Sequence, residues 1–449
     1  MQKKIATHVV DYYQYRGWLV PDVDVHIDID YPDLLLVDIY EASVGHLEIT
    51  PADGRVAKRV RDVATGQSFS SPIRQDEVNT LLTTIDQLRG IWTDARFASR
   101  DDGSGVYDLL VDAQPYFSSQ LSIGNDGSRL LGREMAYLAL TASRPWALPL
   151  SIGMYGSDTI QTAGYHSYGM YFTLPVRDKV ELFVAWGESH AALRSRDSAL
   201  FDTDYDREHW QARLTYSRDV GPSAELELYV DYATADYLRD NAVFDELDER
   251  LRIVQLGAAF SRIDAALEWW LRIDGSRGIN DFGARREEFS LFALDSDIDL
   301  DFAHINIAYT AWFSMPLALV ARLDVAAQYS NDVLPSSQTF TLGGSEFARA
   351  YEPGEFSGDR GAGGKFELRR GYLSRGDTQL TPYTYYGIGT VSSASRFGAD
   401  EVSASSAGIG LRLTTPSVYA YVEIDWPLSN GSIYRQDQER VTAQVRLSY

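Results

Sequence analysis

The sequence predicts a mainly β protein: a transmembrane antiparallel β-barrel of about 16 strands, preceded by small α+β domains. Three observations carry this expectation. From Gln114 onward there is almost no helical period, and segments of about ten residues alternate strictly between apolar and polar positions, the period-2 pattern of strands with two unlike faces. Those segments number about sixteen over 336 residues (449 minus 113), about 21 per strand and loop, which suits a single-chain membrane barrel. Ahead of them, residues 44–113 read as strand, helix, helix, strand, strand. No run of about 18 apolar residues occurs, so no helix is expected to span a membrane. That criterion leaves membrane strands untouched.

Residues 1–43 read as the end of a small domain. His8 to Arg16 closes a helix. From Pro21 a strand places Val23, Val25, Ile27 and Ile29 on one face and Asp22, Asp24, His26, Asp28 and Asp30 on the other. Leu34 to Tyr40 forms a second strand. Asp22-x-Asp24 begins like a calcium-binding EF-hand loop, but the glycine at loop position six and the glutamate at position twelve are missing. The acidic residues read as a solvated strand face. In residues 44–113, His46 to Thr50 is a strand, Arg55 to Val63 a helix, and Pro72 to Arg89 the best helix of the chain. Val78, Leu81, Leu82, Ile85 and Leu88 recur there at helical spacing, with Pro72 near the start. Trp92 to Ser99 and Gly105 to Ala113 are strands around the turn Asp101-Asp102-Gly103. A sheet of so few strands has an exposed edge that accepts an extended peptide as an added strand.

The third region runs from residue 114 to 449. Trp210, Ala212, Leu214 and Tyr216 oppose Gln211, Arg213 and Thr215. Leu226, Leu228, Val230 and Tyr232 oppose Glu225, Glu227 and Asp231. Val418, Ala420, Val422, Ile424 and Trp426 oppose Glu423 and Asp425, and the chain ends with Val441, Ala443, Val445, Leu447 and Tyr449 on one face. A soluble sandwich also alternates. The barrel is favoured by the segment count and by aromatic residues at strand ends. Short turns (Pro175–Lys179, Gly221–Ala224, Met315–Pro316) also alternate with longer polar loops (Arg194–Asp206, Asn280–Arg286). Closure also leaves no unpaired backbone edge in lipid, where each unsatisfied group costs several kcal/mol.

Composition narrows the functional classes. The net charge of -23 argues against a nucleic-acid partner. With 0 cysteines there is no disulfide and no Cys-metal site. No Walker lysine motif is present, and Gly164 to Gly169 has the wrong spacing for a nucleophile elbow. The 7 histidines are scattered and read as solvent or girdle residues. Neither a catalytic residue, a metal site nor a cofactor is expected, and the chain is not expected to be an enzyme. Met1 to Val10 lacks the apolar core of a signal peptide, so for an exported protein the expected N-terminus is one from which a leader has been removed.

The strands are interrupted by one long stretch, residues 331–360, and the segment from Phe340 to Arg370 carries it on into the next strand. It opens on Gly343-Gly344 and sets Arg349 between Phe347, Ala348, Ala350 and Tyr351. It then crosses Gly358-Asp359-Arg360-Gly361 and enters a strand where Phe366 and Leu368 alternate with Lys365, Glu367 and Arg369. A loop of this length is functional or disordered, and its aromatic and glycine content argues against disorder. On composition alone, Arg349 is an ordinary solvated loop arginine.

With these residues in view, the chain resembles the POTRA-plus-barrel superfamily of outer-membrane translocases and assembly factors. Within it, the chain resembles the two-partner secretion transporters of the haemolysin-activator type (ShlB/FhaC/HecB), over nearly its whole length. The resemblance rests on the approach from Leu334-Pro335 to Leu342-Gly343-Gly344, the arginine-centred loop after the eleventh strand, Gly358 to Gly361, and the strand Phe366 to Arg369. Tyr12 to Trp18 resembles the first POTRA domain and Val44 onward the second. There are two departures. The family's loop reads Val-Arg-Gly followed by Tyr or Phe, here Ala348-Arg349-Ala350-Tyr351. The family's later Phe-x-Asp-x-Gly motif falls on Tyr385-Tyr386-Gly387-Ile388-Gly389, so Gly387 stands where the aspartate that pairs with the arginine should be. A buried unpaired guanidinium is expensive, and Glu367 is the first expected substitute. The chain also starts inside the first POTRA domain, without the family's N-terminal plug helix.

The resemblance implies a pore in a Gram-negative outer membrane, with POTRA domains in the periplasm. Those domains capture a partner exoprotein, an adhesin, cytolysin or contact-dependent toxin, which crosses without nucleotide hydrolysis. The loop residues Gly343, Gly344, Phe347, Arg349, Tyr351, Gly358, Asp359 and Arg360 would form a translocation lock in the lumen, with Glu367, Arg369, Tyr385, Gly387 and Gly389 as strand partners. Tyr449 would be the terminal aromatic read by the barrel-assembly machinery. The other partner is outer-membrane lipid, and the expected state is a monomer. A barrel-assembly factor and a general diffusion porin are the alternatives.

Overall fold

The computed structural model describes residues 2–27, 34–50, 55–66, 69–70, 72–86, 88, 91–99, 105–115, 117–143, 150–160, 164–177, 179–193, 202–221, 224–241, 245–263, 267–290, 298–370, 373–375, 378–394, 401–415, 417–429 and 439–448. The chain divides into two compact units, Met1–Phe117 with Ala142–Ser151, and Ser118–Thr141 with Ile152–Tyr449. Among the described residues no helix is long and apolar enough to cross a membrane.

The first unit carries α1 (Gln2–Tyr15), β1 (Asp22–Ile27), β2 (Leu35–Tyr40), β3 (Ser43–Thr50), α2 (Arg55–Gly66), α3 (Gln75–Asp86), β4 (Ile91–Ser99) and β5 (Val106–Pro115). α1 begins well before the helix end predicted at 8–16. β1 and β2 form an antiparallel pair. β3, β5 and β4 form a sheet in that order, β3 parallel and β4 antiparallel to β5. A parallel pair needs a long crossover, and α2 and α3 lie within it. Their apolar residues cover the sheet: Val60, Leu81 and Ile85 pack with Ile49, Leu109 and Val111. A second cluster of Leu19, Ala42, Ile73 and Val78 joins the earlier segment to α3.

α3 starts three residues past Pro72, later than the predicted 72–89. Its first turn is set by Glu77, whose carboxylate accepts from the Arg74 amide at 3.1 Å and from the Ser70 amide and hydroxyl at 3.1 and 2.8 Å. This is the reach-back half of a capping box. Burial pushes the Glu77 carboxyl up, but these bonds outweigh it and hold it below the usual carboxylate range. The turn predicted at Asp101-Asp102-Gly103 lies outside the described residues.

The second unit is a closed barrel. Its strands are β6 (Phe117–Gly124), β7 (Met135–Ser143), β8 (Ser151–Thr159), β9 (Tyr165–Arg177), β10 (Val180–Leu193), β11 (Thr203–Gly221), β12 (Ala224–Asn241) and β13 (Asp245–Ile263). They continue through β14 (Leu267–Gly278), β15 (Arg285–Ser290), β16 (Ala303–Met315) and β17 (Leu319–Ser330). The small hairpin β18 (Phe340–Leu342) and β19 (Phe356–Gly358) stands apart from the wall. The wall resumes with β20 (Arg360–Arg370), β21 (Leu373–Arg375), β22 (Thr378–Ser392), β23 (Glu401–Thr414), β24 (Val418–Pro427) and β25 (Arg440–Ser448). β14 and β15 both run along β13, and β20 and β21 both along β22, so the barrel has 16 walls. β25 closes on β6 from Gln444↔Gly124 to Ser448↔Gln120.

The loop predicted at Asn280–Arg286 is instead an interruption of one wall: β15 rejoins the ladder at Arg285. The short connection at Met315–Pro316 is a 3-10 turn over Pro316–Ala318. Most of the predicted 194–206 loop lies outside the described residues, and β11 already begins at Thr203.

The alternation sorts side chains as a membrane barrel requires. Trp210, Leu256, Ile305, Ile388, Ile409 and Val445 are exposed on the outside. Asp231, Asp274, Asp324, Lys365, Glu367, Glu423 and Asp425 are buried on the inside. A charge on the outer face would sit in hydrocarbon. Leu256→Arg should therefore lower the stability of the barrel folded in lipid vesicles by up to about 4 kcal/mol, measured by urea-driven unfolding. An unchanged midpoint would contradict a lipid-facing Leu256.

The lumenal loop as candidate functional site

Residues 331–359 are the longest connection of the barrel and follow its eleventh wall, β17. They fold inward as a hairpin, β18 paired with β19 from Phe340↔Gly358 to Leu342↔Phe356. Gly343 and Gly344 turn the chain at φ +99° and +84°, values that favour glycine. The Gly343 amide donates to the Phe347 carbonyl at 3.0 Å and the Gly344 amide to the Tyr351 carbonyl at 3.1 Å. Between them, the Tyr351 amide closes on the Ala348 carbonyl at 3.0 Å. Ala348 sits at φ +55°. A β-branched residue is an outlier there, which accounts for alanine where the resembling family has valine.

This tight tip aims Arg349 at the wall. Its Nη1 donates to Glu423 Oε2 at 2.6 Å and its Nε to the Ser345 carbonyl at 2.9 Å. The guanidinium lies 4.9 Å from the Tyr385 ring centre. Glu423 also accepts from the Tyr383 hydroxyl at 2.6 Å. The acid that meets Arg349 is thus Glu423 on β24, not Glu367. Glu367 is engaged elsewhere, accepting both Arg412 nitrogens at 2.6 and 2.8 Å. Arg412 in turn stacks 3.7 Å from the Tyr383 ring centre. Two buried ion pairs therefore stand side by side, bridged by one tyrosine. Tyr385, predicted as a strand partner, donates to Asp425 at 2.5 Å. Arg369 shares the inward face of β20 with Lys365 and Glu367, and Lys365 lies 3.3 Å from Asp324.

The loop's apolar residues need space, and glycines on β20 and β22 supply it. A Cβ at Gly361 would strike the Phe340 ring, one at Gly363 the Phe347 ring, and one at Gly389 the Leu342 side chain. At Gly387, where the resembling motif has aspartate, a Cβ would meet the Ala348 nitrogen at an ordinary 3.5 Å. Phe347, Ala348, Ala350, Tyr351 and Phe356 pack with Leu342, Val391 and Ala404 in one buried cluster.

The loop is also fastened at its ends. Asp359 accepts from the Leu334 amide at 2.7 Å and the Ala394 amide at 2.6 Å. Gly358 leaves no room for a Cβ against the Ser392 backbone, and Arg360 donates to the Ser330 carbonyl at 2.6 Å. The Tyr351 hydroxyl reaches the Ser429 carbonyl at 2.5 Å, and Arg440 on β25 donates to the Tyr351 carbonyl at 2.7 Å. Glu352 accepts from Arg133 at 2.8 Å and the Arg129 amide at 3.0 Å. Sequence reasoning did not give Glu352, Tyr383, Arg412, Glu423 or Arg440 a part. A signal existed: Glu423 and Asp425 are the two acids on the inward face of the predicted strand 418–426. Tyr449 lies outside the described residues.

The model of the haemolysin secretion/activation protein family ShlB/FhaC/HecB matches residues 107–413, more than half of the sequence. The chain belongs to this family. It is therefore an outer-membrane protein-secretion transporter with a secreted protein as partner, a transporter family rather than an enzyme family. Solved structures share the fold at low identity. CdiB from Escherichia coli superposes with TM-score 0.70 at 16% identity, covering 100% of this chain and 84% of that one. CdiB from Acinetobacter baumannii gives 0.62 at 18%, covering 99% and 81%. BamA from Haemophilus ducreyi lacking POTRA domains 1-3 gives 0.58 at 12%, covering 100% and 94%. No curated protein matches the sequence.

Two outcomes follow from the geometry. Arg349→Ala and Glu423→Ala should each destabilise the folded barrel, and a double-mutant cycle by thermal unfolding should show them coupled by about 2 kcal/mol or more. The Arg349–Glu367 cycle should show clearly less. Gly363→Leu should unseat the loop and expose it to added protease, whereas Gly387→Ala should leave the digestion pattern unchanged.

Proposed function

We propose that this transporter captures one secreted exoprotein in the periplasm and passes it, extended, through the barrel without nucleotide hydrolysis. Residues 44–113 serve as a second POTRA domain and 1–43 as the C-terminal part of a first. β3 and β4 are the edges of their sheet, where an extended segment adds as a strand. The cargo is of the adhesin or cytolysin class, the transporter works as a monomer, and Tyr449 serves its assembly into the membrane.

The observation that carries this reading is the Arg349–Glu423 pair inside the barrel. A hairpin seated by a buried ion pair, glycine-cleared walls and peripheral hydrogen bonds occupies space a polypeptide must cross. A pair of this kind is costly to leave half broken, about 3–5 kcal/mol for the remaining charge, so the loop is either seated or wholly withdrawn. We assign the loop as the lock: the entering polypeptide displaces it, and the pair reforms after passage.

Deleting residues 1–113 separates the readings. In planar bilayers the truncated barrel should keep its ion conductance, while export of a co-expressed partner exoprotein falls to background. Unchanged export would refute capture by the N-terminal unit and favour a diffusion pore. Retained export with failed insertion of other barrels would favour an assembly factor. Glu423→Gln should raise the frequency of open-channel events in the full-length protein, because it weakens the seat without removing the side chain.

A further inference from the structure

In the first unit, three side chains converge on the exposed face of the β1–β2 pair. Asp24 and Asp38 are directly opposite in register, and His26 follows Asp24 on the same face. Like charges directly opposed on a ladder destabilise it, so this arrangement calls for a cation between the strands. His26 Nδ1 lies 3.3 Å from Asp24 Oδ2 and 3.7 Å from Asp38 Oδ2. It is enclosed and makes no hydrogen bond. All three donor atoms lie within 4.8 Å of one another.

These spacings are long for hydrogen bonds, which run at about 2.7–3.2 Å for N–H···O. They suit donors that share a metal. Nitrogen and oxygen ligands held about 2.0–2.2 Å from a tetrahedral zinc stand roughly 3.4 Å from one another. An imidazole with two carboxylates also matches zinc by ligand type, whereas calcium and magnesium take oxygen donors alone.

We propose that Asp24, His26 and Asp38 form a divalent transition-metal site that binds zinc, with an open fourth position for water. The ion would neutralise the opposed aspartates and tie β1 to β2. A two-stranded sheet is marginal by itself, so a cross-strand metal would stiffen the segment. The acidic strand face read from the sequence as solvated is thereby given a ligand through its cross-strand partner, Asp38.

The test uses the full-length protein in detergent micelles, dialysed against chelator, with zinc alone as titrant in calorimetry. We expect at least one more zinc bound per chain than in a triple variant carrying Asp24→Asn, His26→Gln and Asp38→Asn. His26→Gln or Asp38→Asn alone should weaken that binding at least tenfold. Cobalt gives a second readout: visible d–d bands of a tetrahedral site should appear with the native chain and vanish in His26→Gln. Circular dichroism checks that the variants fold. Equal stoichiometry in the native and triple-variant proteins overturns the site. Binding that survives His26→Gln, or that calcium matches, also overturns it, because it would show an oxygen-only surface cluster.

Discussion

A guanidinium enclosed in a barrel must find an acid, and much of the second unit answers that demand. Arg349 cannot be solvated where the loop places it, so the wall must present a carboxylate at its tip. Glu423 does so because β24 alternates strictly, which turns Glu423 and Asp425 inward while Val422, Ile424 and Trp426 turn away. The Tyr383 hydroxyl holds the same carboxylate from the second side. The acid comes from β24, three walls beyond β20, where the loop rejoins the barrel. The pair therefore ties the loop to a distant wall.

Space is the second constraint. A hairpin with three phenylalanines and a tyrosine fits inside a barrel only if the facing walls give up side chains. β20 and β22 do this with Gly361, Gly363 and Gly389. In the middle of a strand glycine weakens the sheet, so the cost is carried where the backbone must approach the loop. Gly387 is different, because a Cβ there would make only an ordinary contact. With the acid supplied by Glu423, the position opposite Ala348 is free to be small.

Much of this was legible in the sequence. The alternation gave the barrel, its strand number and the placing of the loop after the eleventh wall, because one buried and one lipid-facing side force period 2. The order of elements in residues 44–113 was legible from the helical spacing of Val78, Leu81, Leu82, Ile85 and Leu88 and from the short strands on either side. The partner of Arg349 was not. Glu367 is nearer in sequence and on the strand that leaves the loop, but proximity along the chain does not fix which inward side chains meet across a barrel. Arg412, which stacks on Tyr383 and takes Glu367, decides the matter. The start of α3 was misread because proline is common at a first helical turn, whereas Glu77 sets the cap by reaching back three residues to the Arg74 amide. The wall break before Arg285 was misread because a polar stretch inside a strand looks like a loop when the register of its neighbour is unknown.

The two buried pairs also bear on why the loop tip carries arginine. Arg349 and Arg412 each combine an acid with a tyrosine face, Tyr385 and Tyr383 respectively. A planar guanidinium meets a carboxylate along its edge and an aromatic ring over its face, which the point charge of lysine does not reproduce. Lys365, on β20, pairs with Asp324 alone among the described residues. The loop tip is therefore recognised by shape as well as by charge.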